Sequence, residues 1–153
     1  MKEDGYGDKF QDHLVEQYKQ YVESANLISE RRVKANQFYI AVLSGMLALS
    51  SFVINQNRFN SNLLLFIVMS IVGLTICILW HFNINSYKEL NKIKFQIIHQ
   101  IEAKLPFACY TKEWELEKIN NRYIRLTRIE KYVPLVLAIP YFFMFIYSLI
   151  ELV

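Results

Sequence analysis

The sequence has few of the residues that interrupt helices or staple small folds. Its 153 residues include four glycines, three prolines and two cysteines, and 20% are charged. This composition excludes a collagen-like or disordered chain and disfavours a turn-rich β protein. The cysteines, Cys77 and Cys109, stand far apart with no CxxC spacing. They are therefore expected to be reduced, structural thiols.

Charge is absent from three long apolar runs. Each is close to the length of helix that crosses the hydrocarbon core of a bilayer, which is about 30 Å thick. Buried helices of a soluble bundle are the alternative, but such helices normally carry a polar stripe, and the second run has none. We therefore predict an all-α integral membrane protein with three transmembrane helices. The predicted spans are residues 38–54, 63–80 and 132–150.

Basic residues are distributed unevenly around these spans. Of the 17 Lys and Arg residues, six lie in residues 1–37 and ten in residues 81–131, whereas the loop 55–62 has only Arg58 and the tail 151–153 has none. Cytoplasmic segments of membrane proteins carry the excess of Lys and Arg. The distribution predicts a cytoplasmic N-terminus, a cytosolic central segment and a C-terminus outside.

Both cytosolic segments have the three- and four-residue spacing of apolar positions that is typical of amphipathic helices. In residues 1–37 the pattern leads into the first span without a helix breaker. After the second span it continues to Leu105, where Pro106 ends it. We therefore predict long helices that pass from the spans into the cytosol.

The third span is predicted to belong to a helix that starts before it. Thr127 and Glu130 match a capping box, which marks the beginning of a helix. A helix from this point places Pro134 beyond the first turn and Pro140 in the middle of the span. Because proline removes a backbone donor, a kink is expected there.

No group of residues indicates catalysis or metal binding. His13, His81 and His99 are widely separated, and none has a second ligand at metal spacing. The sequence has no Gly-rich phosphate loop, GxSxG or HExxH motif. The spans also lack the ionisable residues that a coupled transporter needs. We expect neither an enzyme nor a secondary transporter, and no cofactor.

Small residues recur in the first span. Ala41 and Gly45 are four residues apart, as are Ser44 and Ala48. Such pairs allow helices to approach closely, although ordinary apolar spans carry them too. If a pore exists, hydroxyl and aliphatic side chains would line it and dewetting would close it. Three spans cannot enclose a pore, so a channel would have to be a ring of subunits.

Basic residues recur every three or four positions before the third span, with tyrosines interleaved. One interpretation is positive-inside topology together with anionic lipid headgroups. The other is a cytosolic site for an anionic ligand, a nucleotide or a single-stranded nucleic acid, where cations contact phosphates and rings stack on bases. We name this group the basic segment; its residues are Lys118, Arg122, Tyr123, Arg125, Arg128 and Lys131.

Several blocks of the sequence resemble a known family. The most specific is Tyr-x-x-Leu-Asn-x-x-Lys-Phe, and the blocks are residues 18–43, residues 86–106, Tyr110–Trp114 and Thr127–Pro134. Over most of its length the chain is similar to small bacterial membrane proteins of the RipA family of octameric membrane proteins. The resemblance implies a homo-oligomeric ring in the bacterial inner membrane, and it implies no known reaction.

The organisation also resembles, less closely, the two-span SLATT-type effectors of bacterial antiphage systems. That resemblance implies perforation of the membrane when a nucleotidyltransferase-derived signal changes, although the third span departs from the pattern.

Asn91 and Lys94 lie three residues apart on one helical face. They could set the register between subunits, as buried Asn does in coiled coils, or belong to a solvated face.

These observations lead to one main hypothesis and two alternatives. We expect a homo-oligomeric membrane effector of roughly four to eight subunits. Its pore would respond to a nucleotide or single-stranded DNA signal from a partner nucleotidyltransferase. A non-channel scaffold for envelope integrity or stress tolerance follows more directly from the RipA resemblance. A membrane subunit that anchors a soluble partner is the third class.

Overall fold

The chain folds into long helices. The computed structural model describes residues 7, 9–55, 63–120 and 129–152, and among these no strand occurs. Its helices are α1 (Phe10–Asn55), α2 (Leu63–Glu102), α3 (Cys109–Asn120) and α4 (Val133–Ile150). Three of them, α1, α2 and α4, are long and apolar enough to cross a membrane. The prediction of an all-helical chain with three spans is therefore confirmed.

The helices α1 and α2 both extend well beyond the apolar runs. α1 enters the first run without interruption, as the absence of Gly and Pro between Phe10 and that run predicts. α2 continues past the second run and ends at Glu102. The chain turns there because the N–H groups of Lys104 and Leu105 bond to the carbonyls of Ile101 and Glu102, at 3.0 and 2.9 Å. The helix thus ends just before Pro106.

The start of α4 differs from the prediction. Residues 131 and 132 form a turn, and α4 begins at Val133 with Pro134 in its first turn. A proline fits there because the first-turn N–H groups have no partner inside the helix. Residues 129 and 130 are helical, but the predicted continuous helix into the third span is interrupted at residues 131 and 132, and Pro134 does not lie beyond the first turn of α4. Pro140 lies inside α4, as predicted.

The chain divides into two compact units. Unit 1 is Met1–Arg31 with Tyr87–Ile124, and unit 2 is Arg32–Ser86 with Arg125–Val153. In α1 of unit 1 the buried apolar residues lie on the predicted amphipathic face, at Leu14, Ala25 and Ile28. In α2, Ile98 is buried instead, whereas Leu90 and Ile93, which the three- and four-residue spacing places on the apolar face, are exposed.

The core of unit 2 is formed by all three membrane-crossing helices. It consists of Leu43, Cys77, Trp80, Ile84 and Tyr141. Many large apolar side chains of the same helices face outward instead, and Phe52, Leu64 and Phe143 are 64%, 74% and 66% exposed. Water would not favour such a surface, whereas lipid or neighbouring subunits would cover it.

Candidate functional site

The small residues predicted to pack helices lie on the outside of the protomer. Ala41, Ser44, Gly45 and Ala48 are all exposed, and a Cβ added at Gly45 would meet nothing within 4 Å. Gly45 therefore makes no close helix contact within the described part of the protomer. The contacts of these residues with a neighbouring subunit or a pore stay a prediction.

The exposed face of α1 in unit 2 divides into two rows. One row has only small or polar side chains, at steps of three and four residues that place them on a single face. We name it the α1 row; its residues are Gln37, Ala41, Ser44, Ala48 and Ser51, all of them exposed. Beside it stand Phe38, Leu49 and Phe52, each more than 60% exposed. A surface of large apolar side chains and a surface of small or polar side chains thus adjoin each other on the same helix.

The close helix contact inside the protomer is made at Gly73 instead. The ring of Tyr141 lies directly against this glycine, where an added Cβ would overlap it. The Tyr141 hydroxyl donates a 2.6 Å hydrogen bond to the carbonyl of Leu43. Tyr141 thereby joins α4 to both α1 and α2. Sequence reasoning missed this contact, although a lone Gly in an apolar helical run is a known sign of close approach.

A layer of polar contacts lies where α1 and α2 leave the predicted spans in unit 2. The indole Nε1 of the buried Trp80 donates to Oδ1 of Asn36 at 2.8 Å. Tyr39 stacks on the Trp80 ring at 5.6 Å between centroids and accepts a 3.4 Å bond from Asn83. Because the indole N–H finds an acceptor, this Trp can be buried at small cost.

An ion pair occurs in the same unit between α1 and the residues before α4. Nε of Arg32 lies 3.7 Å from Oε2 of Glu130, and the two side chains are only 16% and 15% exposed. Because the pair is partly buried, salt screens its attraction less than that of a surface pair. The capping-box pattern had predicted a helix cap at Glu130 rather than this pair.

In unit 1, a buried carboxylate connects three helices. Glu102 is fully buried and accepts hydrogen bonds from the Tyr18 hydroxyl at 2.9 Å and from the Tyr110 N–H at 3.0 Å. The N–H and the hydroxyl of Thr111 each donate to its other oxygen at 3.1 Å. We name these residues, with His99, the Glu102 cluster.

Glu102 acts as the N-terminal cap of α3. The first N–H groups of a helix have no partner within it, and Ala108, just before α3, has no side-chain acceptor. The carboxylate of Glu102 accepts two of these N–H groups and also complements the positive end of the helix dipole. Thr111, which lies in the first turn, donates to this cap through both its N–H and its hydroxyl.

The environment of this cluster changes two ionisation equilibria. Burial by itself raises the pKa of the Glu102 carboxyl, but the hydrogen bonds from Tyr110, Tyr18 and Thr111 outweigh it and hold the pKa below its ordinary value. For Tyr18, burial and the hydrogen bond to Glu102 raise the pKa of the phenol. The nearby His99 Nδ1 lies 3.0 Å from the Thr111 hydroxyl and 3.6 Å from Oε2 of Glu102.

One of the two predicted register residues, Lys94, makes contacts between α1 and α2 of one chain. Nζ of Lys94 donates to the Ser24 hydroxyl at 2.7 Å and lies 5.0 Å from the centre of the Tyr21 ring. Oδ1 of Asn91 is buried without a hydrogen-bond partner among the described atoms. Lys94 thus helps to pair α1 with α2 within the protomer, and the role of both residues between subunits stays a prediction.

Most side chains of the basic segment lie outside the part of the chain that the structure describes. Only Lys131 has a described side chain, half-buried in the turn before α4. The side chains of Lys118, Arg122, Tyr123, Arg125 and Arg128 lie outside the described residues. Within the part of the chain that the structure describes, no group of three His, Cys, Asp or Glu residues could hold a metal ion.

The fold defines a helical membrane protein with three spans, in which α1 and α2 extend beyond the apolar runs. The family model of the octameric membrane protein family (8xMP) matches residues 15–150. The chain therefore belongs to the octameric membrane protein family and is a homo-oligomeric membrane protein. No curated protein and no solved structure matches the chain significantly. The RipA and SLATT resemblances stay predictions.

Proposed function

We propose that the octamer is an ion-conducting channel of the bacterial inner membrane that serves as an effector in antiphage defence. A phosphate-rich cytosolic ligand, a nucleotide or single-stranded DNA made available by a partner nucleotidyltransferase, controls it through the basic segment. The uneven distribution of Lys and Arg supports an orientation with the N-terminus and this segment in the cytosol.

The α1 row is the observation that carries this proposal. Helices in lipid gain little from presenting small and hydroxyl side chains to acyl chains, which large apolar side chains suit better. Phe38, Leu49 and Phe52 form such a surface beside the row. The row itself suits either a neighbouring subunit or water. In a ring, the same row from every subunit faces a common axis and lines a pore with hydroxyl groups.

The octameric family sets the size of that pore. Eight helices of about 10 Å diameter, placed side by side in a ring, enclose an opening roughly 15 Å wide. Hydrated ions pass an opening of this width without losing their water, so we expect a large, weakly selective conductance. Depolarisation of the cell follows from such a conductance.

Cysteine accessibility in planar bilayers tests the pore assignment. In a background with Cys77→Ala and Cys109→Ser, single cysteines replace Ser44 or Ala48 in the row and Leu49 beside it. A charged, water-soluble thiol reagent should block current through the Ser44→Cys and Ala48→Cys octamers. The matched Leu49→Cys octamer should conduct unchanged.

The same recordings separate the channel from its main rival. Discrete currents that nucleotides or short single-stranded DNA turn on or off support the effector, and Arg122→Glu with Arg125→Glu should abolish that response. Block at Leu49→Cys but not in the row would mean that the apolar face of α1, and not the α1 row, lines the pore. A silent bilayer from intact octamers under every ligand would favour the scaffold for envelope integrity or stress tolerance.

A further inference from the structure

The part of α1 and α2 that belongs to unit 1 exposes aliphatic side chains although it is rich in charge. Residues 10–31 of α1 include six charged residues, and residues 88–94 of α2 include four. Charges at this density keep a helix out of the hydrocarbon core of a bilayer, where each is costly. Leu27, Leu90 and Ile93 are nevertheless 45%, 43% and 52% exposed. Lipid tails therefore do not account for this surface.

These aliphatic residues belong to two helical faces that adjoin each other. On each helix, steps of three and four residues place the members on a single face. We name the combined surface the Ile93 face; its residues are Gln17, Gln20, Ser24, Leu27, Leu90, Ile93 and Ile97. Lys94 of α2 lies between Leu90 and Ile97, and its Nζ donates a 2.7 Å hydrogen bond to the Ser24 hydroxyl of α1. This bond joins the two helices at the middle of the Ile93 face.

The charged side chains lie mostly elsewhere on these helices. In α2, residues 95–101 include no Asp, Glu, Lys or Arg. Lys94 is the one charged residue beside the Ile93 face, and its Nζ is engaged with Ser24 and with the Tyr21 ring, 5.0 Å from the ring centre. The charges of α1 up to residue 30 follow a different face, at Asp12, Glu16, Lys19, Glu23 and Glu30. Depletion of charge is typical of the buried core of a protein–protein interface.

The first turn of α3 occupies another flank of α2. Tyr110 and Thr111 contact Phe95, His99 and Glu102, which follow one another at steps of four and three. With α3 in place, the leucines and the isoleucine of the Ile93 face still expose about half of their surface. A cover for the Ile93 face therefore has to come from outside the protomer.

We propose that the Ile93 face is a contact surface between neighbouring copies of this chain in the octamer, outside the hydrocarbon core. The octameric family supplies the occupant, because every protomer has further copies of the same chain beside it. Apolar residues at steps of three and four are those by which paired helices interlock. In a ring, such a contact is head-to-tail, so the face meets a different surface of the next copy. The inference rests on the octamer and is independent of the proposed channel.

The size of the Ile93 face sets the expected strength of the contact. Two helices about 10 Å wide and about 15 Å long present roughly 300 Å² per copy, against about 800 Å² in an interface of standard size. The face is thus one part of the contact between subunits. Its loss should weaken the octamer without preventing assembly at high protein concentration.

A charge placed on the Ile93 face tests the contact in the full-length protein. Ile93→Glu introduces an unpaired carboxylate there, whereas the matched control Lys92→Glu introduces one at the next residue, whose side chain is 64% exposed. Native mass spectrometry over a dilution series measures the octamer. Ile93→Glu should dissociate at about tenfold higher protein concentration than the wild type, and Lys92→Glu should match the wild type. Octamers of Ile93→Glu as stable as the wild type would overturn the proposal.

Thiol accessibility identifies the cover without adding a charge. In the Cys77→Ala and Cys109→Ser background, Ile93→Cys should be protected from a water-soluble maleimide in the octamer and become reactive in dissociated protomers. Lys92→Cys should react equally in both. Equal reactivity of Ile93→Cys in octamer and protomer would overturn the proposal, since no subunit then covers the face. Protection of the octamer that appears only on addition of anionic lipid vesicles would assign the face to a membrane surface instead.

Discussion

The contact between Gly73 and Tyr141 allows a sharp prediction about the stability of the span core. Replacing Gly73 by Ala places a methyl group where the Tyr141 ring lies. The ring cannot retreat freely, because its hydroxyl is bonded to the Leu43 carbonyl at 2.6 Å and the residue is fully buried. The helices must separate, the hydrogen bond between Tyr141 and Leu43 must break, or both must happen in part.

The expected cost follows from these two responses. Overpacking a close-packed core costs about 1–3 kcal/mol. Loss of an interhelical hydrogen bond in a membrane costs about 0.6 kcal/mol on average and up to about 1.7 kcal/mol. We expect Gly73→Ala to destabilise the protomer by about 2–4 kcal/mol. Gly45→Ala is the matched control, since its added methyl meets nothing within the described protomer and should cost less than about 0.5 kcal/mol.

Equilibrium unfolding in mixed micelles measures both variants, with Trp80 in the same core as a fluorescence reporter. Tyr141→Phe should lose only the hydrogen-bond share. In the double variant with Gly73→Ala, the freed ring can move, so the combined cost should be less than the sum. Equal stability of Gly73→Ala and Gly45→Ala would refute the packing described here.

Three further predictions concern the polar contacts. Glu102, whose pKa is held below its ordinary value, should stabilise unit 1 above about pH 4.3 and lose this contribution as the pH falls further through the pKa of the folded state. A stability–pH titration of Glu102→Gln should lack that loss, and a curve parallel to that of the wild type would contradict the prediction. Arg32→Ala should cost about 1–2 kcal/mol, because Glu130 then stays partly buried without this cation beside it. A double-mutant cycle with Glu130→Ala should show coupling between the two residues, and additive costs would exclude the ion pair. Asn36→Ala should cost about 1–3 kcal/mol by leaving the Trp80 N–H without its acceptor, measured by the same unfolding assay, and a neutral result would mean that the bond is absent.

The architecture could be predicted from the sequence because its determinants are local. Charge-free runs define the spans, and the three- and four-residue spacing defines the amphipathic faces on which Leu14, Ala25 and Ile28 are buried. The start of α4 was misjudged because the capping-box pattern was given more weight than Pro134. A proline two residues into a helix is favourable, and one beyond the first turn is not.

The polar contacts could not be predicted because their partners are distant in sequence. Glu102 is 84 residues from Tyr18, and Tyr141 is 98 residues from Leu43. Nothing in the local pattern distinguishes Glu102 from a surface glutamate at the end of a helix. The bond between Trp80 and Asn36 likewise depends on how α1 and α2 are aligned, because the two residues are 44 positions apart.

The two glycines of the spans show why polarity rather than apolarity locates the surfaces of this protein. In lipid, apolar side chains are equally suited to the inside and the outside of a protomer, so exposed leucines and phenylalanines say little about assembly. Hydroxyl and small side chains are more informative, because some are buried and make contacts within the protomer whereas others are exposed. Ser50 and Ser70 are buried and bonded to carbonyls of their own helices, and Gly73 is covered by Tyr141. Gly45 and the α1 row are left outside, uncovered by the described protomer. In an octamer, either a neighbouring subunit or a water-filled axis covers that surface. The accessibility of single cysteines in the α1 row to a water-soluble thiol reagent decides between the two.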